Sequence, residues 1–371
     1  MPDVSAQEPG KRARGSSFCA DHGGVDIREI LGDAGDAGDA GGPGGADGVA
    51  DAAGLISARR FRELGVGADQ LARLVREGTL QRVHRGLYLP RERWKGLRAG
   101  ARHRIRVLAA SEAARGRLTF SHHSAAALFG LPFVDARLDA VHTHDPGATG
   151  GTARSGITVH RSRVAAATES IDGARVTSLA RTLVDVATTS SFLTSVVMLD
   201  HALRESLARS CGPPRSGPWR WSLTKSSLRE ELDVVNPRRG GRLARRAIEF
   251  ADPRSGSPGE SLSRVRMHEL GFVIPELQVR FPNARGTYFD VDFWWEEPRI
   301  IGEFDGRGKY ERPNGPDARA PGDIVWDEKL REDELRATAH ASFARWPWSV
   351  AFAAPVFHRF LAERGVPRAH R

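Results

Sequence analysis

The stretch FDVDFWWEEPRIIGEFDGRGKY, Phe289–Tyr310, decides how the last third of this 371-residue chain is interpreted. Two short runs alternate apolar and acidic residues, and the tight connection EEPR separates them, so the sequence predicts a β-hairpin. Alternate residues of a strand share a face. One face of the first run is therefore predicted to carry Phe289, Val291 and Phe293, and the other face Asp290, Asp292 and Trp294.

The second run places Ile301, Glu303 and Asp305 on a single face. Carboxylates on adjacent strands would then face one point, where they repel one another unless a cation is present. Oxygen ligands select a hard ion such as Mg²⁺ or Mn²⁺. A metal held this way can activate water and stabilise charge on a phosphodiester. The alternative is that Arg or Lys side chains neutralise the acidic residues.

Charged helices are predicted on both sides of the hairpin. In SPGESLSRVRMHELGF, Ser257 can cap a helix that begins at Pro258 and ends at Gly271. Glu260 lies three residues after the cap, and on chemistry alone Ser257 and Glu260 are typical of a capping box. Downstream, WDEKLREDELRATAH predicts a charged helix whose Lys329 is either a solvated surface residue or a cation directed at the acidic strands.

The order of these elements resembles the PD-(D/E)XK nuclease superfamily, specifically its very-short-patch-repair-like branch. The matching motifs are GESLSRVRMHELGF-x-x-P-x-x-Q, DVDFWW, IIGEFDGRGKY, EKLREDEL and ARWPW, and together they cover residues 257–348. The resemblance implies a restriction-endonuclease-like domain that hydrolyses DNA phosphodiesters with Mg²⁺ (or Mn²⁺). The metal ligands that it implies are Glu260, Asp292, Glu303 and Asp305.

The second acidic strand departs from the pattern of that superfamily. Its members carry Glu or Asp, one residue and then Lys, whereas Asp305 stands here at the Lys position. The cation that would polarise water must then come from Lys309 or Lys329. The candidate catalytic residues are therefore Asp292, Glu303, Asp305, Lys329 and Lys309.

A small basic module is predicted at residues 51–98. GLISARRFRELGV and ADQLARLVREG read as two helices, the first capped by Ser57 and ended by Gly65, and TLQRVHRGLYLP reads as a hairpin that turns at Gly86. Two helices followed by a basic hairpin are typical of a winged helix-turn-helix, in which the second helix enters the major groove and the hairpin contacts the DNA backbone. The candidate DNA-binding residues are Arg73, Arg76, Arg82 and Arg85.

The excess of positive charge is concentrated in this module. Residues 55–106 contain fourteen Lys and Arg against four Asp and Glu, while the whole chain has a formal net charge of +9. Such a balance suits a nucleic acid partner. A solvated basic face, or a genome that favours Arg codons, is the alternative explanation.

The motif GLIS…LARLVREGTLQRVHRGLYLP resembles the N-terminal domain of AbiEi-type antitoxins of type IV toxin–antitoxin systems. This resemblance covers about forty residues of the winged helix. It implies a DNA-binding, autoregulatory domain and leaves a cognate toxin as a candidate partner.

Residues 99–210 predict alternating short strands and helices. Five histidines, at positions 122, 123, 142, 144 and 160, raise the possibility of a metal site. However, no Cys or carboxylate lies at ligand spacing from them, so a structural role is favoured. The motifs SHHSAAALFGL and VTSLARTLVDVA resemble the central region that follows the winged helix in AbiEi-like proteins.

Composition predicts the remaining divisions of the chain. Residues 1–50 are dominated by Gly, Asp and Ala, and are predicted to be a disordered tail or to lie before the true start of translation. Residues 211–241 read as a linker and connecting segment, and residues 242–371 as the nuclease-like domain. The predicted fold class is α/β. Several domains that each contain helices and strands make the whole chain a multi-domain α+β protein.

Compartment and function follow from these features. Two cysteines fit a reducing cytoplasm, and the sequence contains neither an apolar run that could span a bilayer nor the apolar core of a signal peptide. We therefore expect a cytoplasmic DNA-binding protein, without a membrane partner, that carries a Mg²⁺-dependent endonuclease domain. The alternative is an antitoxin-like transcriptional regulator with an inactive nuclease fold, and RNA remains open as the target.

Overall fold

The computed structural model describes residues 53–146, 152–154, 156–162, 164–210, 223–306 and 321–369. The fold is of mixed α/β class, with helices and three separate β-sheets. The whole predicted tail, residues 1–50, and the candidate residue Lys309 lie outside the described residues. Among the residues that are described, no helix is long and apolar enough to cross a membrane.

The N-terminal module contains a three-stranded sheet and three short helices. The sheet order is β1-β3-β2, and β2 and β3 form an antiparallel hairpin. Ser57 caps the first helix by accepting the backbone N–H of Arg60, and Phe61 of that helix is fully buried. The elements are β1 (Ile56–Ser57), α1 (Ala58–Glu63), α2 (Ala68–Arg76), β2 (Leu80–His84), β3 (Leu87–Pro90) and α3 (Arg91–Gly96).

The central region is built on a six-stranded mixed sheet with the order β6-β7-β5-β4-β9-β8. Ser178 caps α6, and Arg181 and Asp185 of that helix form a buried i, i+4 ion pair with an N–O distance of 2.9 Å. The elements are α4 (Ala99–Ala113), β4 (Thr119–Phe120), α5 (His122–Leu128), β5 (Val141–His144), β6 (Thr152–Arg154), β7 (Ile157–His160), β8 (Thr168–Ile171), β9 (Ala174–Thr177), α6 (Leu179–Thr189) and α7 (Phe192–Ser210).

The C-terminal part contains the predicted acidic hairpin. Its four-stranded sheet has the order β10-β11-β12-β13, in which β12 and β13 are parallel and the other neighbours antiparallel. The elements that lead to it are α8 (Lys225–Val235) and α9 (Gly241–Phe250). The part itself comprises α10 (Pro258–Glu269), β10 (Glu276–Pro282), β11 (Tyr288–Trp295), β12 (Ile300–Asp305), α11 (Pro321–Ala339), β13 (Ser342–Pro347), α12 (Trp348–Phe352) and α13 (Ala354–Glu363).

Two apolar cores cover the two faces of this last sheet. On one face the strands pack against α10 and α13, in a large core that continues into the central region. On the other face they pack against Leu335 and Ala339 of α11, in a smaller core. Both faces are therefore buried, which explains why the strands carry apolar residues on each side.

The alternation of side chains between the two faces is interrupted in both β10 and β11, which differs from the regular alternation predicted for β11. The interruption lies between Leu277 and Val279 on β10 and between Val291 and Phe293 on β11. Leu277 and Phe293 belong to the large core, whereas Val279 and Val291 pack in the smaller core on the opposite face. Residues two positions apart in a regular strand share a face, so Val291 and Phe293 were expected together. The change occurs at Gln278, whose φ of 53° breaks the extended backbone.

The central and C-terminal parts are joined by a buried ion pair between Asp200 of α7 and Arg264 of α10. Both oxygens of Asp200 accept bonds from Nη2 of Arg264, at 2.9 and 2.7 Å, and neither side chain is more than 4% exposed. The same oxygen Oδ1 accepts the N–H of Asp252 at 2.7 Å, and Nη1 of Arg264 donates to the carbonyl of Phe250. The segment before α10 is thus attached to α7 by charged hydrogen bonds.

We predict that Asp200→Asn destabilises the protein by about 3 to 5 kcal/mol, because removing one partner leaves the buried Arg264 charge uncompensated. Urea unfolding at neutral pH measures the change. The matched control is Asp233→Asn, which removes an exposed ion pair with Arg245 and should cost less than about 1 kcal/mol. An equal loss of unfolding free energy in both variants would show that the buried pair stabilises the protein no more than the exposed pair does.

Candidate functional site

The predicted DNA-binding residues all lie on the surface of the winged helix. Helix α2 buries Leu71 and Leu74, and it leaves Arg73 and Arg76 exposed on its other side. In the hairpin, Arg82 and Arg85 are exposed as well. Arg73 makes a solvent-exposed contact with Glu77, at 3.7 Å. This arrangement offers four guanidinium groups to a polyanion.

Strand β2 does not alternate regularly towards the hairpin turn. Its pairing with β3 shifts between Arg82 and His84, which is the mark of a β-bulge. Gly86 then turns the chain at a φ of 78°, a conformation that favours glycine. Arg82 and Arg85 are exposed beside the bulge and the turn, away from the apolar core of the winged helix around Phe61 and Leu80.

Glu260 occupies a buried position in the first turn of α10. Ser257 caps this helix by accepting the N–H of Glu260 at 3.2 Å, as expected for half of a capping box. The reciprocal bond differs, because Oε2 of Glu260 accepts the N–H of Gly256 at 2.7 Å and the side-chain amide of Gln278 at 3.0 Å. The carboxylate is therefore directed towards the sheet.

Asp292 lies next to Glu260, where β11 and β12 diverge. Its Oδ2 accepts the N–H of Phe304 at 2.9 Å, and its Oδ1 accepts the amide of Gln278 at 3.4 Å. Gln278 thus donates to both Glu260 and Asp292. Two of the four predicted ligands are brought together in this way.

Glu303 is directed to arginine side chains. Its Oε1 lies 2.8 Å from Nη1 of Arg331 on α11, and its Oε2 lies 2.9 Å from Nη2 of Arg345 on β13. Arg345 also bonds Glu328 of α11 at 2.9 Å. For Glu303, the neutralisation by Arg that the sequence left open is the observed arrangement.

The remaining predicted residues lie at the edge of this region. Asp305 ends β12 and is half-buried. Lys329 is exposed on α11, where it lines a surface pocket of about 320 Å³ together with Arg345 and Glu332. Positively charged groups that bind Glu303 are Arg331 and Arg345.

The pair formed by Glu260 and Asp292 is electrostatically unfavourable. Burial raises the pKa of Glu260 to about 7, and the neighbouring Asp292 adds to the increase. The bonds from Gly256, Ser257 and Gln278 act in the opposite direction, because they favour the charged carboxylate. A strongly raised pKa beside a second carboxylate is typical of functional sites.

The acidic residues fit the predicted metal only in part. Glu260 and Asp292 supply the oxygen donors that a hard divalent cation prefers. Glu303, in contrast, points to two arginines. Within the described ranges, no group of three or more His, Cys, Asp or Glu side chains is arranged to hold a metal ion. The four predicted ligands therefore do not form one site in this structure.

A separate cluster of histidines lies in the central region. The rings of His122 and His160 stack at a centroid distance of 3.6 Å, and Nδ1 of His142 lies 2.7 Å from Nε2 of His160. His123 contacts His142 edge-on at 5.7 Å. The cluster joins the start of α5 to strands β5 and β7, so positions that are far apart in sequence form one group.

A buried carboxylate accompanies this cluster, although none was expected from sequence spacing. Oδ2 of Asp185 lies 3.9 Å from Nδ1 of His122. Burial raises the pKa of Asp185 to about 6, against the opposing effect of Arg181, and burial also lowers the pKa of His122 well below its usual value. The imidazoles are thus neutral at physiological pH, as expected for packed rings.

Three residues of the acidic region were missed by the sequence reasoning. Gln278 was part of a matching motif, P-x-x-Q, but no chemistry was assigned to it. Arg331 and Arg345 lie in the motifs EKLREDEL and ARWPW, where they read as ordinary charged residues. The only signal that could have indicated them was the need to neutralise buried carboxylates.

Comparison with known proteins gives a family match at the N-terminus. Residues 49–91 match the sequence model of a family described as "Transcriptional regulator, AbiEi antitoxin". This segment contains the two helices and the hairpin of the winged helix. The N-terminal resemblance is therefore supported, and the match does not extend to the central or C-terminal parts.

Longer similarity is found to two uncharacterized proteins of Mycobacterium tuberculosis, MT2308 of strain CDC 1551 / Oshkosh and Rv2248 of strain ATCC 25618 / H37Rv. Each is 31% identical over 182 residues, which is 49% of this chain and 60% of the relative. The match thus spans about three-fifths of the relatives' length. Their names assign no activity.

We predict that the contribution of Glu260 to the stability of the protein falls as the pH rises from about 4.5 to about 7, because Glu260 takes up a proton more readily in the folded state than in the unfolded state. Below this window the contribution of Glu260 to stability is fully present, and above it the contribution is lost. Glu260→Gln should remove this part of the slope of unfolding free energy against pH. It should also raise the free energy of unfolding at pH 8 by an amount on the order of 3 kcal/mol. Urea unfolding across the pH range measures both. An unchanged slope in the variant would show that Glu260 is an ordinary carboxylate.

Proposed function

We propose that the chain is a DNA-binding transcriptional regulator of the AbiEi antitoxin type. The observation that carries this proposal is the winged helix, whose residues 49–91 match that family and whose four candidate arginines are all exposed. In this proposal helix α2 enters the major groove and the hairpin contacts the DNA backbone. A cognate toxin is the corresponding candidate for a functional partner.

The arginines of α2 would supply electrostatic affinity. We predict that Arg73→Ala combined with Arg76→Ala weakens duplex binding. The slope of log K against log salt concentration should fall in magnitude by roughly 2, because about one counterion is released for each phosphate that an arginine neutralises. Fluorescence anisotropy with labelled duplex DNA at 50 to 250 mM salt measures the slope.

The matched control also removes two exposed arginines, through Arg115→Ala combined with Arg359→Ala outside the winged helix. It changes the net charge equally and should keep the wild-type slope. An unchanged slope in the α2 variant would mean that this helix does not contact DNA. Equal binding to RNA and duplex DNA of matched length would place RNA among the targets.

A second candidate function is metal-dependent cleavage of DNA. The observation that favours it is the buried Glu260 beside the half-buried Asp292, which the fold holds together although the two carboxylates repel each other. These two residues would hold Mg²⁺ or Mn²⁺. A cation bound there supplies activation of water and stabilisation of phosphodiester charge.

The other candidate residues have different roles in this proposal. Glu303 would have to leave Arg331 and Arg345 before it could join the pair. Asp305 stands at the strand position where the resembling nucleases carry Lys, so Lys329 and Lys309 remain candidates for the missing cation. The regulator therefore has the stronger support, and cleavage is the activity to test.

We predict that Mg²⁺ or Mn²⁺ raises the melting temperature of the wild-type protein, because a ligand that binds only the folded state stabilises it by mass action. Asp292→Asn should remove this rise and any cleavage of plasmid DNA while keeping the fold, since Asn has the same shape but no charge. Thermal unfolding and gel electrophoresis measure the two effects.

The matched control is Asp290→Asn on the same strand, where the carboxylate is exposed and paired with Arg280. This variant should respond to metal as the wild type does. If the wild type cleaves no supercoiled, linear or single-stranded DNA with either metal, the endonuclease is excluded and the regulator remains.

A further inference from the structure

The connection between α8 and α9 carries a concentration of positive charge outside the winged helix. Residues 236–246, NPRRGGRLARR, contain five arginines and neither Asp nor Glu. Like charges that are this close in sequence repel one another. All five arginines are exposed to solvent, and they are Arg238, Arg239, Arg242, Arg245 and Arg246.

Two of the five arginines already have partners. Arg245 forms an exposed ion pair with Asp233 of α8. Arg246 donates to Nε2 of His268 at 2.7 Å, and its guanidinium lies 4.7 Å from the ring centroid of Phe192. The other three make no ion pair within the part of the chain that the structure describes. These three, named the arginine patch, are Arg238, Arg239 and Arg242.

The packing of α8 against α9 explains why the arginine patch is unpaired. Arg229 of α8 binds Glu249 of α9 through two hydrogen bonds of 2.6 Å. Four residues further along α8, Asp233 binds Arg245 of α9. The next pair in this antiparallel series would fall at positions 237 and 241, which are Pro and Gly. Neither position carries a charge, so no carboxylate of this series compensates the patch.

The backbone holds the arginine patch against the central region. Asn236 ends α8 with a left-handed φ of 41°, and its N–H donates to the carbonyl of Leu232 at 2.9 Å. Gly240, at the start of α9, has a φ of 76°, and a Cβ there would lie 1.9 Å from the carbonyl oxygen of Thr188 on α6. The connection therefore packs directly on α6, and the three arginines project from a packed element.

The composition of the arginine patch suits phosphate groups better than a protein partner. Protein–protein interfaces have an apolar core. The exposed large apolar side chains of the described residues all lie outside positions 236–249, and the nearest in sequence is Val234. Arginine binds phosphate through two parallel N–H groups. Because DNA presents one negative charge per about 1.7 Å of helix axis, several phosphates lie within reach of three arginines that occupy five consecutive positions.

We propose that the arginine patch is a second DNA contact surface, which binds the phosphate backbone in addition to the contacts of the winged helix. This inference rests on the proposed DNA-binding function, because it adds neutralised phosphates to those of the winged helix. Contacts with phosphates carry no sequence information directly. The patch should therefore contribute equally to the binding of duplexes that differ in sequence.

The test replaces the whole patch in the full chain, through Arg238→Ala, Arg239→Ala and Arg242→Ala, and repeats the salt titration with labelled duplex DNA. We expect binding to be at least about tenfold weaker, and the slope of log K against log salt concentration to fall in magnitude by roughly 3, because about one counterion is released per neutralised phosphate. Lysine at the same three positions keeps the charge and should restore most of the slope.

The matched control removes three exposed arginines elsewhere, through Arg115→Ala, Arg285→Ala and Arg359→Ala, and should keep the wild-type slope. All of these variants should melt at the wild-type temperature, because the replaced side chains are exposed. A wild-type slope in the alanine variant of the patch would overturn the proposal. A loss of binding that lysine does not restore would overturn it as well, since it would indicate a structural role.

The failure of the proposed regulator can be separated from the failure of this inference. If the wild type binds no DNA, both are excluded. If the α2 variant loses slope and the patch variant does not, the winged helix binds DNA and the patch does not. The opposite result would assign DNA binding to the patch and remove it from α2. Wild-type DNA binding in the patch variant, together with weaker binding of polyglutamate, would identify an acidic protein as the partner and overturn the proposal.

Discussion

The ion pair between Asp200 and Arg264 determines where the acidic region can form. Arg264 lies one helical turn after Glu260 on α10, so the contact that attaches this helix to α7 also sets the orientation of Glu260. Asp252 and Phe250 join the same network, which fixes the chain just before Gly256. Because Gly256 donates to Glu260, the buried pair that joins α7 to α10 controls the geometry of a carboxylate that faces the C-terminal sheet.

Three buried carboxylates of this chain are stabilised in different ways. Asp200 binds the guanidinium of one arginine, and Glu303 binds those of two arginines. Glu260, in contrast, receives only neutral donors and has Asp292 beside it. A full positive charge repays much of the cost of burial, whereas neutral donors repay less. Burial is therefore incompletely compensated at Glu260, and this residue is the centre of the proposed metal-dependent function.

Local signals in the sequence predicted much of the fold. The caps at Ser57 and Ser257 and the hairpin between β11 and β12 depend on neighbouring residues, and they are confirmed. The contacts that decide the chemistry join distant positions, as Arg264 and Asp200 do over 64 residues and Arg345 and Glu303 over 42. Alternation also failed at Gln278, because no pattern of apolar residues indicates a left-handed residue inside a strand. The sequence thus named the acidic residues but could not assign their partners.

The arginines on Glu303 determine how the two proposed functions differ physically. In the endonuclease, Glu303 would exchange two charge-assisted bonds for a cation shared with Asp292, so metal binding would release Arg331 on α11 and Arg345 on β13. In the regulator, the same bonds are permanent and hold α11 on the sheet, next to the core around Leu335. The two functions therefore require opposite behaviour of α11 when metal is added. The winged helix is common to both proposals, and its exposed arginines would provide the proposed affinity for DNA whichever state Glu303 adopts.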